Sequence, residues 1–192
     1  MTTETTTIRV LTTPEVYVGC TRCEAEGRRR GVWVPLDEAA DVVTDQAHRG
    51  RVVTLTRDVD LHADPDVLQV LETRHMPVPG PLTSAQVAAW QDLYESVGEE
   101  RWPALLAWVD SGAWVEDGDG LPSIGAFEER HCGQWEDFEA YARALAEETD
   151  LQAGWSETAR TYFDWGRWTR DLRYEHTVVD GPQGGVYVFR DL

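Results

Sequence analysis

Cys20-x-x-Cys23 is the first pairing in this chain whose residue types and spacing could do chemistry, since two thiols so placed can hold a soft metal or interconvert with a disulfide. His131-Cys132 adds two donors, so four ligands of suitable type exist. Adjacent residues close one tetrahedron poorly, however, and a structural zinc site usually shows two separate paired knuckles. A thiol redox motif should open a helix after a strand, whereas Glu24-Ala25-Glu26-Gly27 leads quickly to a turn. Small buried thiols are expected, with no metal and no cofactor. Asp117-Gly118-Asp119-Gly120 resembles the start of a calcium loop, with Glu128 twelfth in order, but Pro122 stands where that loop needs its glycine. His48, His62, His75, His131 and His176 are scattered, and no phosphate loop, HExxH or GxSxG motif occurs. No catalytic residue is assigned, and the chain is read as a non-enzyme.

The acidic residues are harder to dismiss. Residues 92–150 hold 16 Asp or Glu against three Arg (Arg101, Arg130, Arg143), a net charge of −13 within a chain of −18 that contains no lysine. Such a field destabilises a compact domain and repels nucleic acid and anionic membranes, so the implied partner is cationic. A hydrophobic content of 42% with nine Trp excludes a disordered acidic tail. There is no apolar stretch long enough to span a membrane, and Met1–Thr13 lacks the basic and apolar regions of a secretion signal. Three Cys are an odd number for a disulfide framework, which fits a reducing cytoplasm.

The elements that must carry this charge can be read from periodicity. Val16-Tyr17-Val18 and Val32-Trp33-Val34 read as strands, Leu36 to His48 as a helix and Arg51 to Thr56 as a third strand, followed by a polar loop over Asp58 to Asp66. Pro77, Pro79, Gly80 and Pro81 mark a boundary. Thr83 with Gln86 forms a capping box for a helix to about Val97, and Arg101 to Ser111 is a second helix, with Pro103 in its first turn. Trp114 to Gly125 reads as loop, Gln134 to Thr149 as the most regular helix, Ser156 to about Leu172 as the last helix, and Val186 to Arg190 as a closing strand. The fold class is α+β. Its parts are a loose leader (1–14), an N-terminal α/β unit with a mixed sheet (15–80), a central helical unit (81–112) and a C-terminal acidic α/β unit (113–192).

On a helix from Gln134, residues Glu136, Glu139, Arg143, Glu147 and Asp150 share one face, with Asp137 and Glu148 on another polar face. The six carboxylates would span roughly 21 Å, about one charge per 3.5 Å. A DNA strand carries one phosphate per about 3.4 Å. The final helix differs, because Glu157 with Arg160, Asp164 with Arg167, and Arg167 with Asp171 can pair locally.

Three groups of residues resemble the ArdA family of antirestriction proteins. Val16-Tyr17-Val18, Glu26-Gly27 and Gly31-Val32-Trp33-Val34 are similar to its opening strand, Glu-Gly turn and Gly-x-Trp strand. Ala126-Phe127-Glu128-Glu129, Gly133, Trp135 and Glu136-Asp137-Phe138 resemble its central segment. Phe163-Asp164-Trp165, Trp168, Arg170-Asp171-Leu172 and Gly185-Val186-Tyr187-Val188-Phe189 resemble its closing helix and strand. The resemblance covers about residues 16–190. The leader, the segment Thr44 to Asp66 and the Cys20-x-x-Cys23 pair depart from the family pattern.

The resemblance implies an elongated protomer of three small α/β units, a homodimer, and carriage on a mobile genetic element. It implies a non-enzymatic mimic of bent duplex DNA that occupies the DNA-binding groove of type I restriction-modification enzymes, against their specificity and methyltransferase subunits. The acids expected to form the mimic are Glu136, Asp137, Glu139, Glu147, Glu148 and Asp150, then Glu95, Glu99, Glu100, Asp117, Asp119, Glu128 and Glu129. Trp155, Tyr162, Phe163, Trp165 and Trp168 exceed what one short helix can bury and are the expected dimer surface. Two other readings stay open: an acidic adaptor for another basic DNA-binding protein, and an enzyme using Cys20, Cys23 or His131.

Overall fold

The computed structural model describes residues 13–48 and 67–191. The leader up to residue 12, the strand expected over Arg51 to Thr56 and the loop expected over Asp58 to Asp66 lie outside them. The chain divides into two compact units, Met1–Trp102 and Pro103–Leu192, with the division inside the 81–112 segment. The architecture is α+β, with one small antiparallel sheet in each unit.

In the first unit, β1 (Glu15–Cys20) lies between β2 (Gly31–Pro35) and β3 (Leu68–Arg74). Among the described residues both pairings are antiparallel, where the sequence suggested a mixed sheet. The central strand buries Val16, Tyr17, Val18, Gly19 and Cys20, as a strand covered on both faces must. Gly31 is required by close approach, because a Cβ there would lie 2.5 Å from the Val18 carbonyl oxygen and 2.6 Å from the Tyr17 ring. Tyr17 packs against Trp33, and the Arg29 and Arg74 guanidinium groups cover these two rings.

Helix α1 (Thr21–Ala25) follows β1 directly, whereas the sequence suggested only a turn there. The single helix expected from Leu36 to His48 is broken. A 3₁₀ turn occupies Leu36–Asp41 and α2 occupies Thr44–His48, because extended backbone at Val42 interrupts the ladder. Helix α3 (Ser84–Val97) has the expected capping box at Thr83 and Gln86, and buries Val87, Trp90, Leu93 and Val97 along one stripe. Trp102 closes this unit: it is fully buried, donates from Nε1 to the His75 carbonyl at 2.9 Å, and meets Trp90 and Tyr94 edge-on.

Trp102 is also the first residue of α4 (Trp102–Asp110), which carries the chain into the second unit. There follow α5 (Ile124–Arg130), β4 (His131–Trp135), α6 (Phe138–Glu148), α7 (Glu157–Thr161), α8 (Trp165–Arg173), β5 (His176–Asp180) and β6 (Val186–Arg190). The sheet order is β4-β6-β5, antiparallel throughout. Strand alternation gives β6 two apolar faces. On one, Phe189 meets Trp108, Phe127 and the ring of His131; on the other, Val188 packs with Phe138 and Tyr141, backed by Leu145 and Leu172.

Two helix expectations are corrected here. Residues 131–135 are a strand, not the start of the Gln134 helix, since Gln134 and Trp135 pair with Tyr187 and Val186 and Gly133 takes φ +98°. Helix α6 begins at Phe138, not Gln134, behind the N-cap Asp137, whose carboxylate accepts from the Ala140 N–H at 2.8 Å. The last helix is two helices: Ser156 caps α7, Asp164 caps α8, and Tyr162 to Asp164 break the run. Asp164 therefore accepts from the Arg167 backbone N–H, while Arg167 reaches Asp171 at 3.8 Å as expected.

Trp108, Phe127 and Phe189 are all fully buried on one face of β6. Trp108→Ala is expected to destabilise the protein by about 3–5 kcal/mol, measured by urea unfolding. A loss under about 1 kcal/mol would show that this cluster does not hold the second unit.

Candidate functional site

Every one of the thirteen acids expected to form a binding surface is exposed. Asp92, Asp110 and Glu116, which complete the acidic stretch, are exposed too. What differs among them is how each is held.

Some have local structural work. Asp137 caps α6, and Asp117 accepts from the N–H groups of Asp119 and Leu121 at 2.9 and 3.0 Å, shaping the Gly-rich turn. Glu139 pairs with Arg143 at 2.6 Å, one helical turn away, and its carboxylate holds the guanidinium above its ordinary pKa. Glu95 accepts from the Gln91 amide at 3.0 Å. Glu136, Glu147, Glu148 and Asp150 form no ion pair among the described residues.

With α6 starting at Phe138, the single-helix ladder of six carboxylates at phosphate spacing does not exist. Only Glu139, Glu147 and Glu148 lie on the helix. Glu136 is in the turn before it, and Asp150 follows the Thr149 cap with φ +48°. The acids gather instead at helix ends.

Their choice of end is informative. Unsatisfied carbonyls give the carboxyl end of a helix a partial negative charge, where cations stabilise and carboxylates do the reverse. Glu95 lies in the last turn of α3, with Glu99 and Glu100 just beyond, but this end also has a base: Arg101 donates from its guanidinium to the Val97 carbonyl at 2.9 Å and the Ser96 carbonyl at 3.4 Å. Asp110 ends α4, whose last turn has no base. Glu128 and Glu129 fall in the last turn of α5, beside Arg130. Glu147 and Glu148 end α6, Asp150 follows, and no base is present. In α7 and α8, Glu157 opens the first and Asp164 caps the second, while Arg160, Arg170 and Arg173 occupy their last turns, the one acid there being Asp171, paired with Arg167. Acid thus stands against the dipole without a base at the carboxyl ends of α4 and α6, while Asp137, Glu139, Glu157 and Asp164 stand with it at helix starts.

Among the aromatic residues expected at a dimer surface, Phe163 is the hub, with ring centroids 5.1, 4.9 and 6.2 Å from Trp155, Trp165 and Trp168. Neither α7 nor α8 contains a fully buried residue, and Tyr162 is 83% exposed. The carboxyl end of α8 is fixed through His176. Its Nδ1 donates to the Leu172 carbonyl, so its Nε2 accepts the Tyr141 hydroxyl, and burial pushes the Tyr141 pKa up to about 12.

One group of metal-ligating side chains converges among the described residues: Cys20, Cys23 and His48, all buried. His131 and Cys132, the partners considered from sequence, belong to the other compact unit. No sequence signal marks His48, which reaches the cysteines only because α2 folds back against β1. His62 lies outside the described residues. No helix among the described residues is long and apolar enough to cross a membrane.

A family model described as Antirestriction protein (ArdA) matches residues 16–187. The chain belongs to the ArdA family of antirestriction proteins. Among curated proteins, no sequence matches it.

Carboxylates with structural work and carboxylates set against the dipole should respond oppositely to neutralisation. In low salt, Glu147→Gln with Glu148→Gln is expected to raise the thermal midpoint by about 1–3 °C, and Asp137→Ala to lower it by about 2–4 °C. Equal responses, read by circular dichroism, would remove the distinction.

Proposed function

We propose that this ArdA-family protein mimics duplex DNA and blocks a type I restriction-modification enzyme by occupying its DNA-binding groove, against the specificity and methyltransferase subunits. The observation that carries this reading is the exposed acid at the carboxyl ends of α4 and α6, whose last turns hold no basic residue and where the dipole opposes it. Family membership supplies a restriction-modification system as the setting.

The mechanism is competition, with no bond made or broken. Carboxylates fixed on short helices and turns meet the Lys and Arg side chains that otherwise hold phosphates, and ions condensed on both surfaces are released. A surface already shaped to the groove also avoids the elastic cost of bending DNA, of order 1–6 kcal/mol for a site of 20–30 base pairs.

Glu136, Glu147, Glu148, Asp150, Glu129, Glu100 and Asp119 are the acids proposed to face the enzyme. Asp137, Glu139, Asp117 and Glu95 add charge while also serving the fold, and Glu99 and Glu128 complete the surface. We place the dimer contact on the Phe163 cluster, whose half-buried rings and exposed Tyr162 suit burial against a second copy.

Distributed charge makes a particular demand on mutagenesis. Any one acid-to-amide change is expected to alter inhibition less than about threefold, whereas Glu136→Gln, Glu147→Gln, Glu148→Gln and Asp150→Asn together should weaken it at least tenfold. The assay is cleavage of cognate DNA by a type I enzyme over a range of inhibitor concentrations. Full inhibition by the quadruple variant would overturn the role given to α6. Failure of the unaltered protein to inhibit, with capture of another basic DNA-binding protein instead, would favour the acidic adaptor.

A further inference from the structure

We infer that the first unit holds a zinc ion on Cys20 Sγ, Cys23 Sγ and His48 Nε2. The three ligand atoms lie within 4.8 Å of one another, and Cys23 Sγ is 3.4 Å from His48 Nε2. Tetrahedral zinc, with Zn–S near 2.3 Å and Zn–N near 2.0–2.1 Å, separates its ligand atoms by about 3.5–3.8 Å. Small side-chain adjustments bring the three onto one ion.

The surroundings suit a metal better than a plain apolar core. Cys20 and Cys23 are 0% exposed and His48 4% exposed, covered by Val67 and Leu68. His48 Nδ1 donates to the Thr44 carbonyl at 2.9 Å, which leaves the Nε2 lone pair directed at the thiols. The Cys23 N–H points at Cys20 Sγ at 3.4 Å, a contact that supports a sulfur carrying negative charge. Two sulfurs and an imidazole select zinc over magnesium or calcium, which take oxygen ligands. On binding, zinc displaces the two thiol protons, and a water takes the fourth position.

Such an ion would solve a stability problem. Helices α1 and α2 have five residues each, far below the roughly 12–15 at which a helix holds itself together in water. Zinc would join the end of β1 and α1 to α2 across the chain between residues 20 and 48, closing a long loop in the unfolded state as well. This role is structural and independent of the acidic surface.

The test uses the full-length protein, purified under reducing conditions. Native mass spectrometry should show one zinc per chain, and chelation should lower the thermal midpoint. Cobalt(II) added to the chelated protein should give a sulfur-to-metal charge-transfer band and the visible bands of a tetrahedral site. His48→Gln should weaken zinc binding at least about tenfold, and Cys20→Ser with Cys23→Ser should abolish it, while Cys132→Ser should leave it unchanged. Folded unaltered protein that takes up neither zinc nor cobalt would overturn the inference. So would a Cys20–Cys23 disulfide in place of metal, or full zinc content in the double-serine variant. The unaltered-protein measurements decide the matter even if a variant fails to fold.

Discussion

Repulsion among carboxylates is the constraint that the rest of this structure answers. Sixteen acids in 59 residues, with three arginines among them, oppose compaction, and no lysine elsewhere relieves the field. The second unit meets it with aromatic burial. Trp108, Phe127 and Phe189 on one side of β6, and Phe138 and Tyr141 on the other, supply large apolar area to few residues. The charge stays wholly at the surface, where water screens it, and is anchored by single polar contacts such as the Asp137 cap and the Asp117 turn.

Position explains more than quantity. A surface that needed only to be soluble could carry its acids at helix starts, where the dipole rewards them, as Asp137, Glu157 and Asp164 are placed. In α4 and α6 the last turns carry acid and no base. There the carboxylates stand against the dipole and exposed to solvent. In a family of antirestriction proteins, a field of this sign is what a groove built for phosphates would recognise. The same economy of core fits a metal staple in the first unit, where short helices have little else to fix them.

Much of this was legible in the sequence. The capping box at Thr83, the apolar period of α3 and the β-branched runs of β1, β2 and β6 declare themselves because local pattern and tertiary role agree. The failures share a cause. β4 reads as helix because Trp135, Phe138, Ala142 and Leu145 continue one apolar period across the Asp137 cap, and only pairing with β6 decides otherwise. β3, α5 and β5 carry too short a pattern to stand out. The acids were legible as a quantity. Their arrangement was not, since it depends on where each helix stops, and His48 could not be linked to the cysteines before α2 was placed.

The central claim is that these carboxylates stand in for phosphates, and displacement tests it most directly. A type I enzyme bound to labelled cognate duplex would be titrated with the protein at two salt concentrations, following bound DNA by fluorescence anisotropy. The account predicts that DNA is released as the protein saturates the enzyme, and that the protein's own affinity for free enzyme falls steeply as salt rises. DNA that stays bound at saturating protein, or an affinity indifferent to salt, would contradict it.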